Sequence, residues 1–566
     1  MGRHLGQPAG VVSAVATPAR RPGPDPRLAV VLPPLVVAAL AVVNAWAGVM
    51  PGVGFWDTGE FQTVLPILGT AHPTGYPTYV ILGFVANLLL TPLGEPAFRM
   101  NVLSLLAVAV AAGATVILVR RLTGSTIVAM AVGLGLATTP LVWLNATRAD
   151  PHPIHLALVA LLLVALVRWE GERGKANEAA RADDAGSDAA SAGSDAASAG
   201  RRADRWLVLA AVIFGLAAGN HSLTLLLVPP IGLYVLAVEP GIWRRWRFAL
   251  GCLAAAVLTV ALVYLELPLR GGLVPALTAP LVYARPTTWD GFWYIALAEQ
   301  FRGSFGDPFA DLGGKLGKLA DLASTQYGFL TLAIPPAFVV AAIRAPRYTL
   351  LTGLAFVITV LFNTSYTNAD IQRYYLGPLL WIWTWLGILA VELAARAKDV
   401  TLEILERLSR VRLRDRAVGQ ASLGAAIVLG VVLLAPALGD LDQRRHDTGR
   451  ANERYAQAWL AEVLPVIPDN AVLVSWWSTS TPLWYAQKVE GLRPDIFIVD
   501  DRTMLDLGLG RAPDVIRRYL GERPVYVIRL EGPDTDELTA QFDMHVVAGG
   551  GNLAVWAVTG RLASAS

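Results

Sequence analysis

Apolar runs long enough to cross a bilayer recur along the chain, separated by short charged punctuation. Runs near 28–48, 101–119, 126–143, 154–168, 206–219, 222–238, 248–268, 327–343, 348–363, 374–395 and 420–437 predict about 11 transmembrane helices. The apolar piece 78–92 is short and bounded by prolines, as expected of a re-entrant or interfacial segment. After residue 438 the pattern changes. An amphipathic helix is expected at 450–464, strands at 471–475, 496–499, 524–528 and 553–558, and a helix near 512–520. Strand–helix alternation of this kind predicts a small soluble α/β domain. The expected organisation is a tail at 1–27, a membrane domain at 28–437 and a folded domain at 438–566.

Composition agrees with a polytopic membrane protein. Only 16% of the 566 residues are charged, 54% are hydrophobic, and mean hydropathy is +0.50, whereas soluble domains carry about 25% charged residues. The net charge of +2 gives no footprint for a nucleic-acid partner. The basic residues instead punctuate alternate loops: Arg120–Arg121, Arg168 with Arg173 and Lys175, Arg244–Arg245–Arg247, Arg344 with Arg347, and Arg407 to Arg416. By the positive-inside rule these loops are cytoplasmic, with the N-terminus. Segments 49–100, 144–153, 219–222, 269–326, 364–373 and 438–566 are then extracytoplasmic, in a bacterial inner membrane.

Two cytoplasmic segments stand apart. Residues 171–205 contain Ala-Gly-Ser-Asp-Ala-Ala-Ser twice and no large apolar repeat, which predicts a flexible low-complexity loop. Residues 397–418 alternate apolar and charged positions at helical spacing. They read as a basic helix on the inner membrane surface or as a topogenic connector. The lone Cys252 excludes an internal disulfide and a cysteine metal site.

The chemistry concentrates on the outer side. Asp57 and Glu60 follow the first span at helical i, i+3 spacing, where carboxylates are costly unless used. Such a pair can divide labour, one carboxylate acting as base. The stiff turn His72-Pro73-Thr74-Gly75-Tyr76-Pro77 presents His72 and Tyr76, for a sugar or a phosphate or as a structural turn. Arg148 and Asp150 lie between two spans, as an anion contact with its positioner or as interfacial helix ends. His221 ends another span, as a cavity wall or a cap. Among outer arginines, Arg373 beside Tyr374 leads as the cation for a phosphate, followed by Arg302 in an aromatic loop. There is no Walker loop, no zinc spacing and no nucleophile elbow.

At these residues the chain resembles the protein O-mannosyltransferase-like family of large membrane proteins, which includes an animal enzyme that mannosylates receptor ectodomains. The blocks that carry the resemblance are Trp56-Asp57-Thr58-Gly59-Glu60-Phe61, His72 to Pro77, Arg99-Met100-Asn101-Val102-Leu103-Ser104, Gly219-Asn220-His221, Tyr374-Tyr375-Leu376, Thr481-Pro482-Leu483-Trp484-Tyr485 and Val489 to Asp495. The resemblance implies a type C glycosyltransferase fold and a polyprenyl-phosphate sugar donor, with mannose the family-based sugar. It also implies an acceptor hydroxyl on protein or glycan, Asp57 as general base and Glu60 as its neighbour. The lipid-linked sugar is a substrate, so no cofactor and no divalent metal is implied. One departure is local: where similar proteins often carry acids before Pro-Leu-Trp-Tyr, this chain reads Trp476-Trp477-Ser478-Thr479-Ser480-Thr481. Two other classes fit parts of the pattern: a transporter or flippase using the same acids and histidines, and a non-catalytic glycan-binding scaffold.

Overall fold

A computed structural model of the protein describes residues 26–184, 189–367, 370–409, 415–529 and 533–562. Among these, nine helices are long and apolar enough to cross a membrane. The pair α5 (Thr126–Thr138) and α6 (Pro140–Ala146), bent by 65°, is apolar enough to make a tenth if the two form one span. The shorter apolar helix Ser222–Val238 accounts for the remaining run expected from the sequence. The chain is an integral membrane protein of the polytopic helical class.

The bend between α5 and α6 has a local cause. Thr139 precedes Pro140, whose ring disfavours helical ψ at the residue before it, and Thr139 sits at φ −60°, ψ 127°. Its hydroxyl donates to the Gly135 carbonyl at 2.8 Å and accepts from the Trp383 indole at 2.8 Å, so the break stays satisfied inside the bundle.

Three elements place the site. Helix α1 (Pro26–Trp46) leads into the loop 47–55, then into α2 (Trp56–Ile67), a short helix that carries Asp57 and Glu60. The His72–Pro77 turn follows and feeds α3 (Pro77–Leu89), which starts on a proline at its first position, where no N–H is needed. Helix α4 (Pro96–Thr123) then runs through the core, and 17 of its side chains are buried.

Two expectations for the cytoplasmic side are corrected. Residues 171–205 do not form a loose connection: α7 (Pro151–Asp184) and α8 (Ala189–Asn220) continue through them as a helical hairpin. Residues 185–188 lie outside the described residues. The repeats are rich in alanine, the strongest helix former, and charge pairing holds the two arms. Glu172 accepts from Lys175 at 2.7 Å and Arg202 at 2.8 Å, while Asp204 accepts from Arg173 at 2.7 Å and Arg245 at 2.6 Å. The segment from 397 is not a separate surface helix either. It continues the spanning helix Leu376–Ser409, because no proline or glycine interrupts it there. Residues 1–25 of the expected tail and 410–414 lie outside the described residues.

The C-terminal unit is a mixed five-stranded sheet in the order β2-β1-β3-β5-β4. β1 (Val472–Ser475) pairs in parallel with β2 (Phe497–Val499) and β3 (Val525–Ile528), and β5 (Val555–Arg561) runs antiparallel to β3 and to β4 (Phe542–Ala548). β1 is buried at all four positions, as its unbroken apolar run requires for a central strand covered on both faces. β4 escaped the sequence pattern. It contains Asp543 and His545 and is mostly exposed or half-buried, an edge strand that no apolar alternation announces.

The sheet unit docks on the membrane unit through helix Trp477–Lys488, which lies along α2. Gly59 sits in this contact, facing Thr481. A Cβ there would lie 2.2 Å from the Gly54 carbonyl oxygen and 2.8 Å from Thr481 Oγ1, and a backbone carbonyl cannot rotate away. Gly59→Ala is expected to destabilise the protein by about 1–3 kcal/mol, as overpacking does. Thermal unfolding in detergent, followed by tryptophan fluorescence, measures this, and an unchanged melting temperature would show that the interface yields freely.

Candidate active site

Two buried side-chain amides build the floor. Gln62 Oε1 accepts from Gly54 N at 2.7 Å, and its Nε2 donates to Gly52 O at 3.0 Å and Asn101 Oδ1 at 2.8 Å. Asn101 Nδ2 donates to Met50 O at 2.8 Å, and its Oδ1 also accepts from Ala149 N at 2.8 Å. Both amides are fully buried, so each unmade bond would cost about 1–3 kcal/mol. They fix the loop before Asp57 and the loop before Asp150 against the same turn of α4.

Charge is assembled on this floor. Arg373, in the turn Ile371–Tyr375, donates from Nη2 to Asp57 Oδ2 at 2.6 Å and from Nη1 to Asp150 Oδ2 at 3.1 Å. Asp150 in turn accepts at Oδ1 from the His152 backbone N–H at 2.8 Å and from His152 Nδ1 at 2.6 Å. A second group lies alongside. Glu60 accepts from the His72 backbone N–H at 2.9 Å and pairs with His72 Nδ1, while His72 Nε2 and the Tyr76 hydroxyl are hydrogen-bonded at 3.2 Å. The His72 and Tyr76 rings meet edge-on at 5.2 Å, as do those of Phe61 and Tyr76.

These groups border a cavity of ≈1190 Å³ between the helix bundle and the sheet unit. Asp57, His72, Tyr76, Arg148, His221, Arg302, Arg373 and Tyr374 all line it. Apolar side chains, Leu225, Leu226, Phe305 and Phe362, form one part of its wall. Another part comes from the C-terminal unit and the segment leading to it: Arg450, Glu453, Tyr455, Trp477, Asp501 and Arg502.

The eight lining residues were all expected site residues, and two further expectations are redirected. Glu60 does not share the cavity face with Asp57: it is 1% exposed and sits behind His72, as a positioner of that imidazole. Asp150 is likewise buried behind Arg373 and His152. Arg302 reaches the cavity from its exposed loop and pairs with Glu299 at 3.4 Å. His221 does both things foreseen for it, capping the next turn by accepting from Leu223 N at 3.2 Å and lining the cavity. Arg148 stands 4.0 Å from Asp370.

Sequence reasoning missed several contributors. His152 stacks on Tyr374 with centroids 5.2 Å apart and lies 4.7 Å from the His221 ring. The Asp150-Pro151-His152 spacing, a carboxylate two residues before an imidazole, was the available signal. Trp56 is 62% exposed, adopts φ 58°, and stands edge-on to Trp477 at 6.4 Å. A tryptophan in the left-handed region stores on the order of 1–3 kcal/mol, and no one-dimensional pattern announces it. Among the described residues no group of three or more His, Cys, Asp or Glu is placed to hold a metal ion.

The electrostatics follow from burial and pairing. Burial would raise the Asp57 carboxyl, but the Arg373 guanidinium and the His72 imidazole outweigh it and hold the carboxyl below its ordinary value. Burial opposes ionisation of Asp150 too, and His152 and Arg373 overcome it, driving that carboxyl far down. Burial would lower His72, yet Glu60 raises it above the ordinary imidazole value. The His72–Glu60 pair therefore contributes charge-paired stability that is fully present below about 6.5 and is lost as pH rises through the raised folded value. The melting-temperature gap between wild type and Glu60→Gln is expected to be widest below pH ~6.5 and to narrow in alkaline buffer. A gap that widens as pH rises would contradict the charged pair.

Comparison with known proteins places this geometry. The family described as protein O-mannosyl-transferase TMEM260 N-terminal domain matches residues 57–241, from the Asp57 helix to just past the helix Val228–Val238. The mouse (Mus musculus) protein O-mannosyl-transferase TMEM260 is 24% identical over 469 residues, covering 79% of this chain and 59% of that relative. The chain thus spans about three fifths of the length of that relative. Among solved structures, ArnT from Cupriavidus metallidurans bound to undecaprenyl phosphate superposes with a TM-score of 0.52 at 16% identity, over 94% of this chain and 98% of that one. Its apo state gives the same TM-score of 0.52. The chain therefore has an ArnT-like, type C glycosyltransferase fold with a small C-terminal sheet unit, and it resembles the protein O-mannosyltransferase-like membrane family.

Proposed function

We propose that the protein is an inverting glycosyltransferase. It moves a sugar, mannose foremost, from a polyprenyl-phosphate donor to a hydroxyl of an extracytoplasmic acceptor, protein Ser or Thr foremost. The observation that carries the reading is Asp57 on the cavity wall, held by Arg373 where an apolar wall meets the soluble unit. A lipid-linked donor has the same three-part character: a chain for the bilayer, a phosphate for a guanidinium and a sugar for a polar chamber. The mouse relative's name and the undecaprenyl phosphate bound to ArnT support the same class of substrate. The site and the sheet unit face outward in this reading, because Arg120, Arg121, Arg344 and Arg347 gather at the opposite end of the bundle.

The step balances on the chain's own groups. The acceptor oxygen attacks the anomeric carbon and forms the new glycosidic bond as the bond from that carbon to the phosphate oxygen breaks. The hydroxyl proton passes to the Asp57 carboxylate. The electron pair leaves with the polyprenyl phosphate, whose charge Arg373 shares with Asp57 and Asp150. As Arg373 turns toward the phosphate, its hold on Asp57 weakens and the carboxylate becomes a better base. Tyr374, Tyr76, His221 and Arg148 border the sugar and phosphate, and Arg302 stands on the outer loop of the chamber. The donor is a substrate, and Arg373 supplies the positive charge at the leaving group.

Purified protein supplied with polyprenyl-phosphate hexoses and a membrane extract as acceptor source should release polyprenyl phosphate. Asp57→Asn should lower that release by roughly 10²–10⁴-fold, the usual worth of a general base. Full activity in Asp57→Asn would overturn the base assignment. No release from any donor by wild type, together with flux in proteoliposomes, would favour the transporter. The pH profile gives a second check. With Arg373 present the acid limb of activity falls below the ordinary Asp range. In Arg373→Gln the burial penalty stands unopposed by that cation, so the limb of the residual activity should move up.

A further inference from the structure

The far end of the bundle holds a second cavity, unconnected with the proposed chemistry. Helix α7 begins at Pro151, beside Asp150, and runs unbroken past Glu170. At 1.5 Å per residue that is roughly 28 Å of helix, about the thickness of the hydrocarbon core. There a cavity of ≈690 Å³ opens between the C-terminal end of α4, the middle of α7, and the turn joining helix Ile334–Arg344 to helix Pro346–Ser365. Arg120, Arg121, Arg344 and Arg347 line it, with Glu170 and Tyr348.

The charges in this cavity do not cancel. Arg344 pairs with Glu392 at 2.5 Å and Arg347 with Glu170 at 3.2 Å. Glu170 is shared with the Tyr234 hydroxyl, which donates to it at 2.8 Å. Arg120 spends its guanidinium on a neutral acceptor, the Ala29 carbonyl, at 2.6 Å. Arg121 makes no ion pair among the described residues. Its guanidinium lies against α7 at Gly171, where a Cβ would sit 2.6 Å from Nη2. A side chain at that position would have to push the flexible Arg121 guanidinium out of this place. The rest of the wall is apolar: Leu122, Val167 and Pro346.

The positive-inside rule accounts for the sign of these residues but not for their convergence on one concave site. Two uncompensated guanidiniums beside an apolar wall at the bilayer edge complement a phosphate that carries acyl chains. We propose that this cavity binds the phosphate headgroup of an anionic phospholipid on the leaflet opposite the Asp57 site. The ligand chemistry is a phosphate anion, and a membrane lipid is its source, because the apolar wall adjoins the cation cluster.

The full chain reconstituted in nanodiscs of phosphatidylcholine, with and without phosphatidylglycerol, tests this. Phosphatidylglycerol should raise the melting temperature, and native mass spectrometry after transfer to detergent should find it retained. Arg121→Gln should weaken that retention about fivefold, the worth of one cation near an anionic surface. Gly171→Ala keeps every charge but displaces the Arg121 guanidinium, so it should weaken retention in the same direction. Both variants should melt like wild type in phosphatidylcholine alone, which separates lost binding from lost folding. Wild-type retention in both variants would overturn the site. Stabilisation by inorganic phosphate in phosphatidylcholine nanodiscs, equal to that given by phosphatidylglycerol, would overturn the lipid as its source.

Discussion

A single guanidinium organises the end of the bundle that meets the sheet unit. Arg373 lies between Asp57 and Asp150 at hydrogen-bond distance from both, and its side chain is 15% exposed. Charges so sheltered persist only when paired and hydrogen-bonded. Removing one member of such a set typically costs 3–5 kcal/mol, because a charge is left uncompensated. The three residues come from three separated parts of the chain: the helix after the first span, the loop before α7, and the turn before helix Leu376–Ser409. Their mutual need for charge draws those parts together, and the Gln62–Asn101 amides set the register at which they meet.

The same cation joins architecture to chemistry. Pairing with Arg373 holds the Asp57 carboxyl below its ordinary value despite its burial. In the proposed reaction an anionic leaving group competes for that guanidinium and changes the carboxylate beside it. The soluble unit encloses this exchange. Arg502 lies over Tyr283 and Tyr294, 4.6 Å and 4.9 Å from their ring centres, and Asp506 accepts from the Ala284 backbone N–H at 3.1 Å. The loop around Tyr283 and Tyr294 is thereby fastened to the sheet unit, which walls one side of the chamber.

What the sequence revealed divides along physical lines. Bilayer-length apolar runs fix the spans, because hydrocarbon leaves the backbone no alternative to internal hydrogen bonding. Asp57, His72 and Arg373 stood out because polar groups at membrane depth are costly. Their pairing was not legible: nothing in one dimension says that Arg373 reaches Asp57 across 316 positions while Glu60, three residues on, turns to His72. The alanine-rich repeats misled because low complexity was read as looseness, whereas alanine favours helix and the hairpin supplied partners for its charges. β4 was missed because an exposed edge strand has little apolar pattern to show.

The contact between Gly59 and Thr481 has a consequence for biogenesis. The helix that presents Asp57 leaves the ribosome hundreds of residues before the helix that packs along it. Throughout that interval the membrane helices insert with the cleft open on the side of the missing unit. The chamber can close only when the sheet unit has folded against the helices. A chain truncated before Trp477 would therefore span the membrane with its charged residues in place but without the wall that the sheet unit supplies. Folding of the sheet unit against the bundle thus sets when the chamber is first enclosed.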